Sequence, residues 1–140
     1  MFGPHLTLDL YCCNKEKLLD LGFIYKILDE LPDLIGMHKI TTPQLIVQQP
    51  NPDTFDKGGI SGFVLISESH ISIHTFVAQE YASIDIFSCK NFDFHKAITY
   101  LTEKLGAQKV EKHLISRGKE FPKNIEKVKE IVAKHRKKLS

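Results

Sequence analysis

The chain has 140 residues, of which 42% are hydrophobic and 26% charged, a balance typical of one globular domain with a modest core. Six prolines and eight glycines are too few for a linker-rich or disordered protein. No apolar run approaches the roughly 20 residues that a membrane helix needs, so no membrane partner is expected.

The cysteines and the amino-terminal residues indicate the cellular compartment of the protein. Three cysteines cannot all pair with one another, and the side chains of adjacent Cys12 and Cys13 are expected to point to opposite faces of a strand. A disulfide framework is therefore not expected. The first ten residues have neither a basic lead-in nor a continuous apolar stretch, so no signal peptide is predicted. The reducing cytoplasm is the predicted location.

The chain begins with one strand pattern and one helix pattern. Leucines alternate with polar residues from His5 to Cys13, which predicts a strand. From Glu16 to Ile35 apolar residues return every three to four positions. This spacing predicts a helix that loosens near Gly22 and Pro32.

The middle of the chain reads as a run of strands. A second strand is predicted over Met37 to Gln49, where Pro43 indicates a sheet edge or a bulge. A turn-rich loop follows. Three further strands are then predicted, over Ile60–Ser67, His70–Phe76 and Tyr81–Cys89.

The rest of the domain is predicted as one more helix and one more strand. Asp93 suits the N-cap of a helix over His95 to Leu105, which Gly106 ends. A last strand is predicted over Gln108 to Arg117. The order β-α-β-β-β-β-α-β, followed by a tail helix, favours an α+β two-layer sandwich with an antiparallel sheet and helices on one face. No second helical layer remains for the other face, so a homodimer in which two sheets meet is predicted.

The carboxy-terminal tail is basic. Eight Lys or Arg residues and three Glu residues lie between Lys119 and Ser140, which leaves the rest of the chain slightly acidic. A nucleic-acid-binding tail is one interpretation. A solvated helix face is favoured because no aromatic residues are interleaved with the lysines, so no nucleic-acid partner is predicted. Apolar residues at helical spacing predict an amphipathic helix docked on the body: Ile125, Val128, Ile131 and Val132.

The strands over residues 70–76 and 81–89 are predicted to pair as an antiparallel hairpin around a four-residue loop. In this register His74 faces Ser83, and Cys89 lies across from Glu68. Polar residues then share one face and aliphatic residues share the other, and a slip of one residue would mix the two sets. The sheet is therefore predicted to have an aliphatic face for its helices and a polar, reactive face.

Two kinds of chemistry on the polar face meet a problem of distance. His70 and His74 lie about 13 Å apart along a strand, too far to share one ion, so no metal site is predicted. A Cys-His nucleophile pair meets the same obstacle. Cys89 and His74 lie about six residue rows apart unless a partner subunit brings them together.

A third kind of chemistry uses the backbone itself. A serine hydroxyl can attack the preceding peptide carbonyl, and a base can then remove the serine α-proton. Elimination leaves a dehydroalanine that hydrolyses to a pyruvoyl group. This sequence of steps needs a strained X-Ser bond, hydroxyl donors and a base. Glu68-Ser69, either Ser61 or Ser67, and His74 are the right residue types in the right region.

The chain resembles the bacterial and archaeal S-adenosylmethionine decarboxylases, which are pyruvoyl-dependent and self-cleaving, in the segments GISGFVLISESHISIHTF and YASIDIFSC. GPHLTLDLYCC and FDFHKAITYLTEKLGA extend the resemblance from Gly3 to about Gly118. The spacing is specific. The motif serine precedes the histidine by five residues and the cysteine by twenty, as Ser69, His74 and Cys89 do here.

The resemblance divides the chain into a pyruvoyl decarboxylase domain, residues 1–118, and a basic helical extension, residues 119–140. It implies cleavage between Glu68 and Ser69, which yields an amino-terminal chain of 68 residues and a carboxy-terminal chain of 72. The second chain would begin with the cofactor, a covalent pyruvoyl group made from Ser69. That ketone forms a Schiff base with the substrate's amine and accepts electrons as carbon dioxide leaves.

The resemblance also implies roles for other residues of the motif. His74 is implied as the base in processing, Ser61 as a hydroxyl partner of the reacting carbonyls, and Cys89 as the proton donor in turnover. The family assembles its sites at a dimer interface, which agrees with the uncovered sheet face predicted above. A homodimer or higher homo-oligomer acting on a small molecule is therefore expected.

The substrate pocket departs from the family pattern. Phe55, six residues before Ser61, stands where the family has a phenylalanine that stacks on adenine. The family typically reads His-Thr-Phe-Pro-Glu after the motif histidine, whereas Val77 and Ala78 replace Pro-Glu here. Glu80 is a candidate substitute for the carboxylate that binds the ribose. The leading prediction is decarboxylation of S-adenosylmethionine for spermidine synthesis. Arginine or ornithine as substrate, and an unprocessed non-catalytic subunit or binding module, remain alternatives.

Overall fold

The structure is a computed structural model that describes residues 1–55, 57–122 and 125–139. Strands and helices alternate along these residues in nearly the predicted order. The strands are β1 (Gly3–Tyr11), β2 (Gln44–Gln48), β3 (Gly59–Ile66), β4 (Ser69–Phe76), β5 (Tyr81–Ser88) and β6 (Lys109–Arg117). The helices are α1 (Lys15–Leu19), α2 (Leu21–Leu34), α3 (Phe94–Leu105) and α4 (Ile125–Leu139).

One antiparallel sheet contains all of these strands, in the order β2-β3-β4-β5-β1-β6. Period-two alternation gives each inner strand an apolar face: in β1, Leu6, Leu8 and Leu10 are at most 2% exposed. The predicted α+β two-layer sandwich is confirmed. The helices supply the other half of the core from Leu18, Ile24, Ile27, Leu28, Leu31, Ala97, Leu101 and Leu105.

The predicted helix over residues 16–35 is wrong in one respect, because the chain breaks it at Asp20. The backbone of Asp20 is extended, with φ −84° and ψ 100°. Its carboxylate accepts a hydrogen bond from the Phe23 N–H at 3.0 Å and so caps the start of α2. The break therefore lies two residues before Gly22, and Pro32 is accommodated inside the last turn of α2.

The predicted second strand is also shorter than expected. Only Gln44–Gln48 pairs as β2, at an edge of the sheet, and Pro43 immediately precedes it. Residues 36–40 instead cross the end of the β3–β4 hairpin. There the Ile40 N–H donates to the carbonyl oxygen of Leu65 at 3.0 Å, which draws this segment against the hairpin.

The predicted register of the β4–β5 hairpin is confirmed. Phe76 faces Tyr81 and His74 faces Ser83 across the two strands. The loop has four residues, as predicted. One face of this hairpin is fully buried under the helices, as shown by side chains that are at most 1% exposed: Ile71, Ile73, Ala82, Ile84 and Ile86.

The opposite face of the sheet, called the outer face below, carries polar side chains and exposed apolar ones. Ile46 is 71% exposed, and Phe63 is 43% exposed. Apolar side chains exposed in this number on one sheet face favour a covering surface. The homodimer with two facing sheets stays a prediction.

The tail forms the predicted amphipathic helix, α4, but the predicted docking on the body is wrong. Val128, Ile131 and Val132 are 37%, 46% and 43% exposed. Upstream of the helix, the ring of Phe121 does pack edge-on against Phe2, with ring centroids 5.0 Å apart. Within the part of the chain that the structure describes, no helix has the length and apolarity of a membrane span.

Candidate active site

The Glu68-Ser69 bond lies at the tight end of the β3–β4 hairpin. Ser67 and Glu68 form a two-residue turn and Ile66 pairs with Ser69, so the turn lies one residue earlier than predicted. Such turns usually place positive φ angles within the loop. Here neither turn residue has one, and the positive φ of 152° falls on Ser69. A non-glycine residue in a sparsely populated region stores about 1–3 kcal/mol of strain.

A hydrogen-bond donor already contacts the carbonyl oxygen of Glu68. The backbone N–H of Cys89 donates to it, with an N···O distance of 2.8 Å. A donor at this oxygen would stabilise the negative charge that forms when a nucleophile attacks the carbonyl carbon. The predicted placement of Cys89 beside the Glu68-Ser69 bond is confirmed by this contact.

The position of Cys89 depends on a close approach of β1. A Cβ atom added to Gly3 would lie 2.0 Å from the carbonyl oxygen of Ser88 and 2.8 Å from Cα of Cys89. Both contacts are with backbone, which cannot rotate out of the way. Only glycine therefore allows β1 to pack at this distance from the segment that carries the Cys89 N–H.

The side chain of Glu68 is buried and paired. The residue is 7% exposed, and its two carboxylate oxygens lie 2.9 Å from the backbone nitrogen and from Nδ1 of His38. Burial by itself raises the pKa of Glu68, but the hydrogen bonds from His38 outweigh burial and leave the pKa below its ordinary value. The carboxylate is therefore ionised at neutral pH. No feature of the sequence had pointed to His38.

Ser61 and His74 form a second hydrogen-bonded pair. They face each other across β3 and β4, and Ser61 Oγ lies 2.9 Å from His74 Nδ1. A cavity of about 360 Å³ opens beside them on the outer face, with Ile46, Phe63 and Ser72 in its wall. The pair thus combines a hydroxyl and an imidazole at the edge of a pocket, which suits proton transfer.

One chain does not bring this pair to Ser69. Ser69 and His74 lie five positions apart along an extended strand, a distance of roughly 16 Å. The ladder places Ser69 opposite Ser88 and His74 opposite Ser83, toward the other end of β5. The expectation that His74 lies near the Glu68-Ser69 bond is therefore wrong within a single chain. His74 is exposed on the outer face.

The two residues predicted for substrate binding lie near the β4–β5 loop. Phe55 is 73% exposed, its ring centroid lies 6.0 Å from that of Phe76, and its carbonyl oxygen accepts a hydrogen bond from Gln79 at 2.9 Å. An exposed ring offers a face to a planar ligand. The Glu80 carboxylate lies 3.9 Å from Nζ of Lys15 at the start of α1, so in this structure it is drawn toward the helical side.

Charged side chains that the sequence did not single out also lie on the outer face. The Tyr81 hydroxyl donates a short hydrogen bond to Asp9, and burial together with this bond raises the pKa of Tyr81 to about 12. Arg117 lies 4.1 Å from the centre of the Phe87 ring and 3.3 Å from Nδ1 of His5, whose pKa burial lowers. In the described residues, no three His, Cys, Asp or Glu side chains are arranged to hold a metal ion.

Comparisons with known proteins identify the family of the chain. A profile described as S-adenosylmethionine decarboxylase matches residues 4–118. The chain belongs to the S-adenosylmethionine decarboxylase family. The S-adenosylmethionine decarboxylase proenzyme of Clostridium botulinum (strain Langeland) is 40% identical over 118 residues, 84% of this chain and 95% of that protein. The proenzyme of the same name from Geobacillus kaustophilus is 36% identical over 116 residues, 83% of this chain and 87% of that protein.

A solved structure supports the same assignment. The crystal structure of the adenosylmethionine decarboxylase from Aquifex aeolicus has a TM-score of 0.71 and 26% sequence identity, and the match covers 88% of this chain and 95% of that chain. The resemblance read from the motifs around Ser69 is therefore confirmed at the level of the S-adenosylmethionine decarboxylase family. Residues 119–140 lie beyond the part that the family profile matches.

Proposed function

We propose that this member of the family is a self-processing, pyruvoyl-dependent enzyme that decarboxylates S-adenosylmethionine to the aminopropyl donor of spermidine synthesis. The geometry of the Glu68-Ser69 bond carries the proposal. A strained serine follows a carbonyl that already accepts a hydrogen bond from the Cys89 N–H. Relatives named S-adenosylmethionine decarboxylase proenzyme support both the substrate and a precursor that matures by processing.

Self-cleavage at this bond would proceed through an ester and a dehydroalanine intermediate. Ser69 Oγ attacks the carbonyl carbon of Glu68 and gives its proton to a base, while the Cys89 N–H stabilises the oxyanion. The C–N bond then breaks and the nitrogen takes up a proton, which leaves an ester. Loss of the Ser69 α-proton expels Glu68 as a carboxylate and leaves a dehydroalanine. That residue tautomerises, adds water and releases ammonia, which leaves a pyruvoyl group.

The local structure favours the forward direction of this series. The positive φ of Ser69 stores about 1–3 kcal/mol, which is released when the peptide bond no longer closes the turn. The products are residues 1–68 and residues 69–140. Both would remain in one sheet because β3 and β4 pair from Ile66 opposite Ser69 to Ser61 opposite His74.

A second copy is proposed to complete the site. Ser61 and His74 hydrogen-bond to each other but lie roughly 16 Å from Ser69 of their own chain. In a homodimer whose outer faces meet, the pair of one copy would serve as hydroxyl partner and base for Ser69 of the other. The same contact would cover the exposed side chains of Ile46 and Phe63.

After processing, the pyruvoyl group would supply a ketone that withdraws electrons from the substrate as carbon dioxide leaves. The other functions fall to residues of the chain. Cys89, next to the new amino terminus at residue 69, is the proposed donor of the proton that replaces the carboxylate. Phe55 offers its exposed ring to the adenine. Glu80 is the proposed acceptor for the ribose hydroxyls, a role that requires it to separate from Lys15.

Intact-mass spectrometry tests the processing step first. Protein made and stored under native conditions should contain chains 1–68 and 69–140, the second with a pyruvoyl terminus, whereas Ser69→Ala should remain one chain of 16.0 kDa. Carbon dioxide release from carboxyl-labelled S-adenosylmethionine then tests the substrate, with labelled arginine and ornithine as comparisons. A wild-type chain that stays uncut refutes self-processing. A processed enzyme that acts only on arginine or ornithine refutes the substrate.

A further inference from the structure

The carboxylate of Glu68 is held from two directions by a single residue, His38. One carboxylate oxygen accepts a hydrogen bond from the backbone N–H of His38 at 2.9 Å, and the other lies 2.9 Å from Nδ1 of the His38 ring. Contacts to both oxygens fix the rotation of the carboxylate as well as its position. The Glu68 side chain is 8% exposed and the His38 side chain is 72% exposed, so the contact closes from the solvent side.

The segment that carries His38 is itself anchored at two places. The N–H of Ser67, the first turn residue, donates to the carbonyl oxygen of His38 at 2.8 Å. The next residue, Lys39, places its Nζ 2.6 Å from the carboxylate of Asp29 in α2. His38 is therefore tied to the hairpin on one side and to the helical layer on the other. The position of Glu68 follows from both.

Other charged or titratable groups near the turn have different partners. Lys90 donates to a backbone carbonyl oxygen at 2.6 Å, and Lys39 is engaged by its ion pair with α2. The ring of His70 packs edge-on against an aromatic ring of β5. Cys89 reaches Glu68 through its backbone N–H. Among the described residues, His38 is the side chain that hydrogen-bonds to the carboxylate.

We propose that His38 is a positioning residue for self-cleavage, which holds the Glu68-Ser69 bond in its strained geometry and in contact with the Cys89 N–H. This inference rests on the proposed cleavage at that bond. A two-residue turn without the His38 contact can release strain by rotating the backbone of Glu68, and that rotation moves the carbonyl oxygen away from its donor. His38 neither receives nor gives a proton in the reaction.

The contacts between His38 and the Glu68 carboxylate would also hold the new chain end after the Glu68-Ser69 bond is cut. Glu68 then ends the first chain and carries an α-carboxylate beside its side-chain carboxylate, and the turn no longer joins it to Ser69. Its tie to His38 would keep this doubly charged end in place.

Cleavage of freshly translated full-length precursor, followed on denaturing gels, measures the effect directly. His38→Ala should slow cleavage about tenfold or more, the equivalent of at least about 1.4 kcal/mol in the barrier. His38→Asn should recover most of the rate because its side-chain N–H can replace the donation from Nδ1. His135→Ala is the matched control, since His135 lies exposed on α4, and it should cleave at the wild-type rate.

A pH profile separates positioning from a general loss of stability. Protonation of the processing base lowers the rate in every variant. Because His38 favours the ionised carboxylate, the wild type should show a further decline as the pH falls through the lowered pKa of Glu68. In His38→Ala that decline should begin at a higher pH. A wild-type rate in His38→Ala overturns the proposal. So does slow cleavage that shows neither rescue by Asn nor a shifted pH profile. An uncut wild-type chain in the same assay would instead refute the proposed self-processing.

Discussion

Substitution of Gly3 by alanine tests how the Cys89 donor is positioned. The new Cβ would lie 2.0 Å from the carbonyl oxygen of Ser88, whereas unbonded heavy atoms favour about 3.5 Å. The strand segment must therefore move by about 1.5 Å. In the wild-type chain the Cys89 nitrogen lies 2.8 Å from the Glu68 carbonyl oxygen. A shift of about 1.5 Å would carry it beyond hydrogen-bonding distance, about 3.2 Å. Loss of one such donor costs about 10²–10³ in rate.

The assay is the rate of self-cleavage of freshly translated precursor, with circular dichroism to establish that the variant folds. Gly22→Ala is the matched control. The nearest atom to a Cβ at Gly22 is the Asp20 carboxylate oxygen at 3.6 Å, an ordinary contact, so this variant should cleave normally. Cleavage of folded Gly3→Ala at the wild-type rate would show that the Cys89 N–H does not stabilise the oxyanion.

Three further predictions concern the second copy, the outer face and the tail. His74→Ala alone should cleave at least about 10²-fold slower than wild type. When it is co-expressed with Ser69→Ala, the His74→Ala chain should be cut, because the Ser69→Ala chain of a mixed dimer supplies an intact His74. Mixed dimers that stay uncut by mass spectrometry would contradict a shared site. Because the pKa of Tyr81 is raised, its contribution to stability is fully present below the ordinary tyrosine pKa of about 10 and is lost as the pH rises toward about 12. Thermal melts of Tyr81→Phe should lack that alkaline decline in stability. An unchanged decline would refute the contribution assigned to Tyr81. A chain ending at Pro122 keeps the Phe121–Phe2 contact and should cleave and melt like the full chain, whereas slower cleavage would give α4 a role in the site.

The β4–β5 hairpin shows what local pattern can predict. Ile71, Ile73 and Ile84 alternate with polar residues, and a buried aliphatic face tolerates only one pairing. The place of Cys89 beside Glu68 follows from that pairing, and the contact between them confirms it. Two interacting strands adjacent in the sequence thus provide enough information to place half of the candidate site.

The contact between His38 and Glu68 had no comparable signal. The two residues are 30 positions apart, and the segment around His38 had the pattern of a strand. Its pairing with the hairpin end depends on how α2 directs the chain as it leaves the helical layer. The break at Asp20 is similar: the apolar spacing continues through it, and the hydrogen bond that the Asp20 carboxylate accepts from the Phe23 N–H decides the boundary.

By itself the sequence determined the two faces of the sheet, the motif around Ser69 and the family, because alternation and short fixed spacings are local properties. Only the tertiary structure decided that His74 lies far from Ser69 in one chain, that Gly3 packs closely against the Cys89 backbone and that His38 binds the Glu68 carboxylate. These relations join segments distant in the sequence, and packing of the whole domain sets the distances between them.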